Sequence, residues 1–162
     1  MQQAHPSTIQ SILLAGFIAG TLDASGAVIV YCLLMKVVTV TQLFHGISSG
    51  LFGNTIIGNE NVMAVIGLLL HYFIAFCFAT AYFFVYPHLR FLQKNAFISG
   101  LLYGLIVWII MNLIVVPLSR AHHSPPTWPG FLRGAGILMV CIGLPVSFIT
   151  ASFYRRKMKV QK

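Results

Sequence analysis

Four stretches of this chain are almost wholly apolar over lengths that can cross a bilayer, which takes about 20 residues in a helix. The first covers residues 9–37, behind the polar opening MQQAHPST, where Ser7 or Thr8 is placed to cap a helix. The second covers residues 62–86 and is ended by Pro87. The short PHLRFLQKN then turns the chain into the third, residues 96–118, and so tight a connection predicts that these two helices are antiparallel neighbours. The segment SRAHHSPPTWPG, whose prolines bar a helix, leads into the fourth at residues 131–154. Between the first two spans, residues 39–61 are less apolar and rich in Gly, Ser and Asn, yet Leu43, Phe44, Ile47 and Leu51 recur at helical spacing. This pattern predicts a short interfacial or re-entrant helix over about 41–57, ending in the loop GNEN. The expected fold is an all-α membrane protein, a four-transmembrane-helix bundle forming one domain over residues 1–162.

Composition supports this and removes other classes. Hydrophobic residues make up 58% and charged residues 7% of the chain, whereas a soluble domain carries about a quarter charged. Four spans use up most of the length, leaving no room for a soluble catalytic domain. The net charge of +8 does not point to nucleic acid, because half of the ten basic residues crowd the tail: Arg155, Arg156, Lys157, Lys159 and Lys162. A basic cluster directly behind an apolar segment suits a topology signal and a contact with anionic lipid. Arg90 and Lys94 fall on the same side as the tail, and Lys36, Arg120 and Arg133 on the other. The richer side is expected to be cytoplasmic, with both termini inside and the segments around Gly50 and His122 outside. The first apolar run is longer than a signal-peptide core and lacks its basic start, so it is expected to be retained. Cys32, Cys77 and Cys141 have no paired spacing and read as packing residues. Tyr31, Tyr86, Trp128 and Tyr154 fall near the expected interfaces, as belt anchors do.

Polar residues inside the spans carry the candidate chemistry. Gly16, Gly20, Asp23 and Ala27 line one face of the first span, and Gly67, His71, Ala75 and Ala79 one face of the second. Small residues mark the faces on which membrane helices meet, so Asp23 and His71 should point inward. By helical rise, His71 lies about 13 Å below the outer end of its span and Asn112 about 9 Å below the outer end of the third, with Asp23 mid-helix. These levels predict one polar cluster of Asp23, His71 and Asn112, with Thr21, Ser25 and Tyr72 around it. Asp23 is one of only two acidic residues, and a carboxyl at that depth costs about 2.5 kcal/mol or more on insertion scales. Neutral, or ionised beside an imidazolium His71, it suits a proton-coupled or cation-binding site. The plainer alternative is an interhelical hydrogen bond that only fixes register.

Other chemistries fare worse. His71 could hold haem iron, but a haem bundle normally needs a second facing histidine, and His5, His45, His88, His122 and His123 all fall in termini, loops or interfacial segments. No cofactor is therefore expected. The adjacent pair His122 and His123 reads as a solvated loop rather than a metal site. GISSG at Gly46 to Gly50 resembles a nucleophile elbow only superficially, because no strand precedes it. The chain is expected not to be an enzyme, although lipid chemistry by His71 and Asp23 stays open.

The runs GFIAGTLDASGAV, GISSGLFG, GLLLHYFIA, YGLIVWIIMNLIVVPLS and CIGLPVSF, in this order, resemble a group of four-span bacterial inner-membrane proteins with no assigned activity, and more distantly YagU-like proteins. The resemblance implies the bacterial inner membrane and a four-helix fold, with Asp23, His71 and Asn112 in its recurring pattern. Two functions follow as expectations. One is a small carrier or ligand-binding bundle handling a proton, cation or small amphiphile. The other is a non-catalytic accessory subunit or assembly factor, docking another membrane protein or a second copy through outward glycines such as Gly104. Membrane lipids are expected partners in both.

Overall fold

A computed structural model of the chain describes residues 7–53, 55–121 and 127–160. Every regular element among them is helical: α1 (Thr8–Leu34), α2 (Val40–Phe52), α3 (Glu60–Val85), α4 (Arg90–Lys94), α5 (Ala96–Leu118) and α6 (Trp128–Met158). Four of these, α1, α3, α5 and α6, are long and apolar enough to cross a membrane. Their positions match the hydropathy pattern, except that α1 stops at Leu34 and α6 begins at Trp128 and runs past 154. The helix α4 was not legible in the pattern.

Helix starts follow local chemistry. Ser7 accepts from the Gln10 N–H while the Gln10 side chain accepts from the Ser7 N–H, and Thr39 with Gln42 repeats this at α2. Asn59, Asn95 and Thr127 cap α3, α5 and α6. Prolines then shape two spans from within. Pro117 and Pro145 lack an N–H, and a proline ring collides with the carbonyl four residues back. The residues just before them, Val116 and Leu144, donate instead five residues back, to Met111 and Met139. Each helix therefore widens into a π turn, over Met111–Val115 in α5 and Met139–Gly143 in α6. α1 widens too, over Val28–Leu34, just before Lys36 turns left-handed at a φ of 54°. No proline explains the widening there.

Glycines decide which helices meet. Gly16 and Gly20 of α1 receive the rings of Phe76 and Tyr72 from α3. α5 and α6 touch backbone to backbone: a Cβ on Gly143 would overlap the Gly100 carbonyl, and one on Gly104 would lie 2.6 Å from the Leu138 carbonyl oxygen. α1 packs on α3 and α6, and α6 on α5. This qualifies one expectation and corrects another. α3 and α5 are neighbours through their side chains, as the short connection predicts, but make little close backbone approach, because α4 spaces their ends while the glycine contacts draw α5 onto α6. Gly104 does not face outward for docking but is buried against α6.

Long side chains span the gap between α3 and α5. The Tyr103 hydroxyl donates to the Phe78 carbonyl at 2.6 Å. Tyr82 donates to Ser147 at 2.9 Å, and Ser147 donates to the Ala96 carbonyl at 2.7 Å. With its own proton given to Ser147, Tyr82 accepts from Ser99. Tyr82 and Ser147 each give and receive once and Ser99 gives once, so every proton in the chain has an acceptor and the chain ties three helices together. Tyr82→Phe breaks it at the centre and is expected to cost about 1 kcal/mol, read by denaturation in mild detergent. Tyr86 and Tyr154 also belong to this core rather than to an aromatic belt. Tyr86 is 3% exposed and stacks on Tyr154, whose hydroxyl donates to the Phe83 carbonyl. Trp128, by contrast, is exposed, and so is Cys77.

α2 lies against α3, with the Phe44 main chain seated on Gly67. It buries Phe44 and Ser48 and leaves Leu51 exposed. Its far end is tied to the end of α5, where the Arg120 N–H donates to the Gly50 carbonyl at 2.9 Å.

Candidate functional site

The inward faces of α1 and α3 bring Asp23 and His71 together. Gly16 and Gly20 let α3 approach α1 closely, and Gly67, Ala75 and Ala79 form the matching buried face of α3. The His71 Nε2 lies 2.9 Å from the Gly20 carbonyl oxygen. A carbonyl can only accept, so this nitrogen carries the hydrogen. The same Nε2 is 4.0 Å from Asp23 Oδ2, and the side chains are only 13% and 15% exposed. The pair is too far apart for a direct hydrogen bond and close enough to share a charge, a proton or a bridging water.

Aromatic rings fix the histidine. Phe44 of α2 meets His71 edge-on with ring centres 6.3 Å apart, and Tyr72 does so at 5.8 Å. Tyr72 in turn stacks on Phe17, and its hydroxyl is 2.9 Å from Thr21 Oγ1. Because Thr21 gives its proton to the Phe17 carbonyl at 2.8 Å, Tyr72 is the donor between them. A Cβ on Gly20 would come within 2.9 Å of the Tyr72 ring, so this glycine sets both the ring and the carbonyl that receives His71.

Asp23 is a wall of two cavities. The inner one, of about 80 Å³, is otherwise lined by His71 and apolar side chains such as Ala75, Phe78 and Val107, with Ile47 of α2 over it. It has room for a few waters. The other, of about 290 Å³, is more polar and open, and Tyr31, Trp108, Asn112 and Gly134 contribute to it. Leu138 of α6 borders both. Cys141 belongs to the same region, its sulfur against Gly26, one turn from Asp23.

The six residues expected at the site are thus divided. Asp23, His71, Thr21 and Tyr72 form a contact set between α1 and α3. Asn112 shares the open cavity with Asp23, but its Nδ2 donates to the Trp108 carbonyl of its own helix at 3.0 Å rather than to the pair. Ser25 is exposed on α1, and its hydroxyl makes no hydrogen bond to the other site residues. The sequence pattern suggested only a belt anchor for Tyr31 and did not single out Trp108, and both line the open cavity. The serines of GISSG sit in a helix and donate to carbonyls three residues back, at 2.9 Å for Ser48 and 2.7 Å for Ser49. Among the described residues, no three His, Cys, Asp or Glu side chains gather as a metal site. His5, His122, His123 and Lys162, with the side chain of Lys159, lie outside the described residues.

No protein-family model, curated protein or solved structure matches this chain. The resemblance carried by the sequence runs therefore brings no activity with it, and function has to be argued from the site.

Proposed function

We propose that this chain is a small membrane carrier or ligand-binding protein that takes up a proton, a cation or a small cationic amphiphile at Asp23 and His71. The observation that carries this reading is one buried carboxylate bordering two cavities, with a histidine 4.0 Å away. A register-fixing hydrogen bond needs no cavity on either side of the carboxyl. A site that loads and releases a cation needs space next to the charge and a second group to share it.

The reading sets the bundle in a bacterial inner membrane with both termini in the cytoplasm, supported by Arg90, Lys94, Arg155, Arg156 and Lys157 at one end against Lys36, Arg120 and Arg133 at the other. The open cavity then faces the periplasm. α2 acts as an interfacial or re-entrant cap, with Phe44 and Ile47 over the pair. On the cytoplasmic side, Tyr103 and Tyr82 close the core, with ring centres 4.6 Å apart.

Liposomes carrying the protein, a trapped pH-sensitive dye and a potassium diffusion potential test the transport arm. The protein is expected to admit protons faster than empty liposomes, and Asp23→Asn to lose that rate. Native mass spectrometry of the protein released gently from its own membrane tests the binding arm, as a small cationic molecule retained by the protein and lost from Asp23→Asn. If neither flux nor a retained molecule appears, or if Asp23→Asn behaves as the parent does, the reading fails. A stoichiometric protein partner in the same spectrum would favour the accessory-subunit alternative, which has lost the support of Gly104.

A further inference from the structure

We infer that the groove between the start of α1 and the end of α6 is a binding site for one anionic phospholipid. The groove has a volume of about 510 Å³ and lies at the opposite end of α1 from its π-widened turn. Along its length Leu14, Phe148 and Phe153 offer an apolar wall. Its end holds Arg156, Gln10 and Ser152. On α6 the residues recur at four-residue spacing, Phe148, Ser152 and Arg156, so the groove runs along the helix from an apolar wall to a cation, as an acyl chain and its phosphate would.

Charge decides the headgroup. The chain has only two acidic residues. Asp23 faces His71, about 20 Å along α1 from Gln10, and Glu60 opens α3 at the end opposite to Tyr86 and its α6 partner Tyr154. Neither can neutralise Arg156, and the described residues hold no other ion pair. Arg155 and Lys157 add to the same local excess. A guanidinium beside an apolar groove at the end of a span is satisfied by a lipid phosphate, which accepts its forked donors and brings the chain that fills the groove. Gln10 uses its side-chain oxygen on the α1 cap, which leaves its amide N–H groups as further donors.

The test uses the full chain in nanodiscs of equal parts phosphatidylglycerol and phosphatidylcholine with matched acyl chains, released into native mass spectrometry. One phosphatidylglycerol is expected to be retained in preference to phosphatidylcholine. Arg156→Gln is expected to reduce this about fivefold, the effect of one cation near the surface. Ser152→Trp, which fills the groove and leaves the charge unchanged, should abolish retention. Arg155→Gln, beside the groove but not in its wall, should change it far less than Arg156→Gln. Equal retention of both lipids, equal loss in the two arginine variants, or no effect of Ser152→Trp would each overturn the assignment, because they describe surface charge or bulk lipid without a built site. Circular dichroism confirms that the variants remain helical.

Discussion

Gly143→Ala is expected to destabilise the bundle by about 3 kcal/mol, at the upper end of what one added methyl does in a packed core. The methyl would enter the Gly100 carbonyl and lie 2.9 Å from the Gly104 nitrogen. Both are backbone atoms of a neighbouring helix, so no side chain can turn aside, and relief requires α5 and α6 to part. Parting them loses the close approach that drives association in lipid, where apolar burial gives little reward. Gly46→Ala and Gly136→Ala are the controls. Nothing lies within 4 Å of a Cβ at either position, and alanine is the better helix former, so changes within about 0.5 kcal/mol are expected. Thermal unfolding in one detergent, followed by tryptophan fluorescence and far-ultraviolet circular dichroism, reads all three. A Gly143→Ala variant as stable as the controls would mean that α5 and α6 do not meet through these glycines.

The same contact shows why some of the fold was legible in the chain and some was not. Span positions are overdetermined, since bilayer thickness fixes the length and few polar residues interrupt it. The inward faces of α1 and α3 were legible because Gly16, Gly20, Gly67, Ala75 and Ala79 recur at helical spacing and all are buried. Helix neighbours were not legible in the same way. The short link predicted α3 beside α5, and long side chains do join them, but the closer pairing of Gly100 with Gly143 joins residues far apart in sequence and draws α5 to α6. The π turns lay hidden for a related reason. Pro117 and Pro145 announce a disturbance, but whether a helix kinks, ends or widens depends on what packs beside it.

Within the site, depth was easier to read than direction. The levels of Asp23, His71 and Asn112 were close enough to place all three around the two cavities that share Asp23 as a wall. Asn112, however, sits in a widened turn, where the 3.6-residue period no longer sets side-chain direction, and it bonds its own helix. Ser25 lies about 200° round α1 from Asp23 and is exposed. Thr21 is as far round the other way, yet the long Tyr72 side chain reaches it. The chain from Ser99 through Tyr82 to Ser147 escaped notice because isolated small hydroxyls barely change hydropathy, although each can join helices when buried.

Asp23→Asn, His71→Gln and the double variant should separate a working site from a structural one, because the two roles predict opposite effects on stability. Asparagine keeps the shape of Asp23 and removes the charge. If the carboxyl is held for function, its burial is a cost, so Asp23→Asn should abolish retention or flux while leaving stability unchanged or higher, by up to about 2 kcal/mol. If it only fixes register, the same change should lower stability by about 1 kcal/mol and leave transport or binding untouched. His71→Gln preserves an N–H able to reach the Gly20 carbonyl, so it removes the titrating ring at small structural cost. Separated by 4.0 Å, the two groups should show a coupling of about 0.5–3 kcal/mol in the activity cycle, with the double variant no worse than the more damaged single one. Additive losses in activity would mean that Asp23 and His71 act on different species. Coupled losses in stability, without loss of activity, would reduce the pair to a helix contact and leave both cavities without a ligand. Coupling in activity with stability intact is the result that a carboxylate standing between two cavities leads one to expect, since it is the exchange of charge across that residue, and not the joining of α1 to α3, that needs both groups at once.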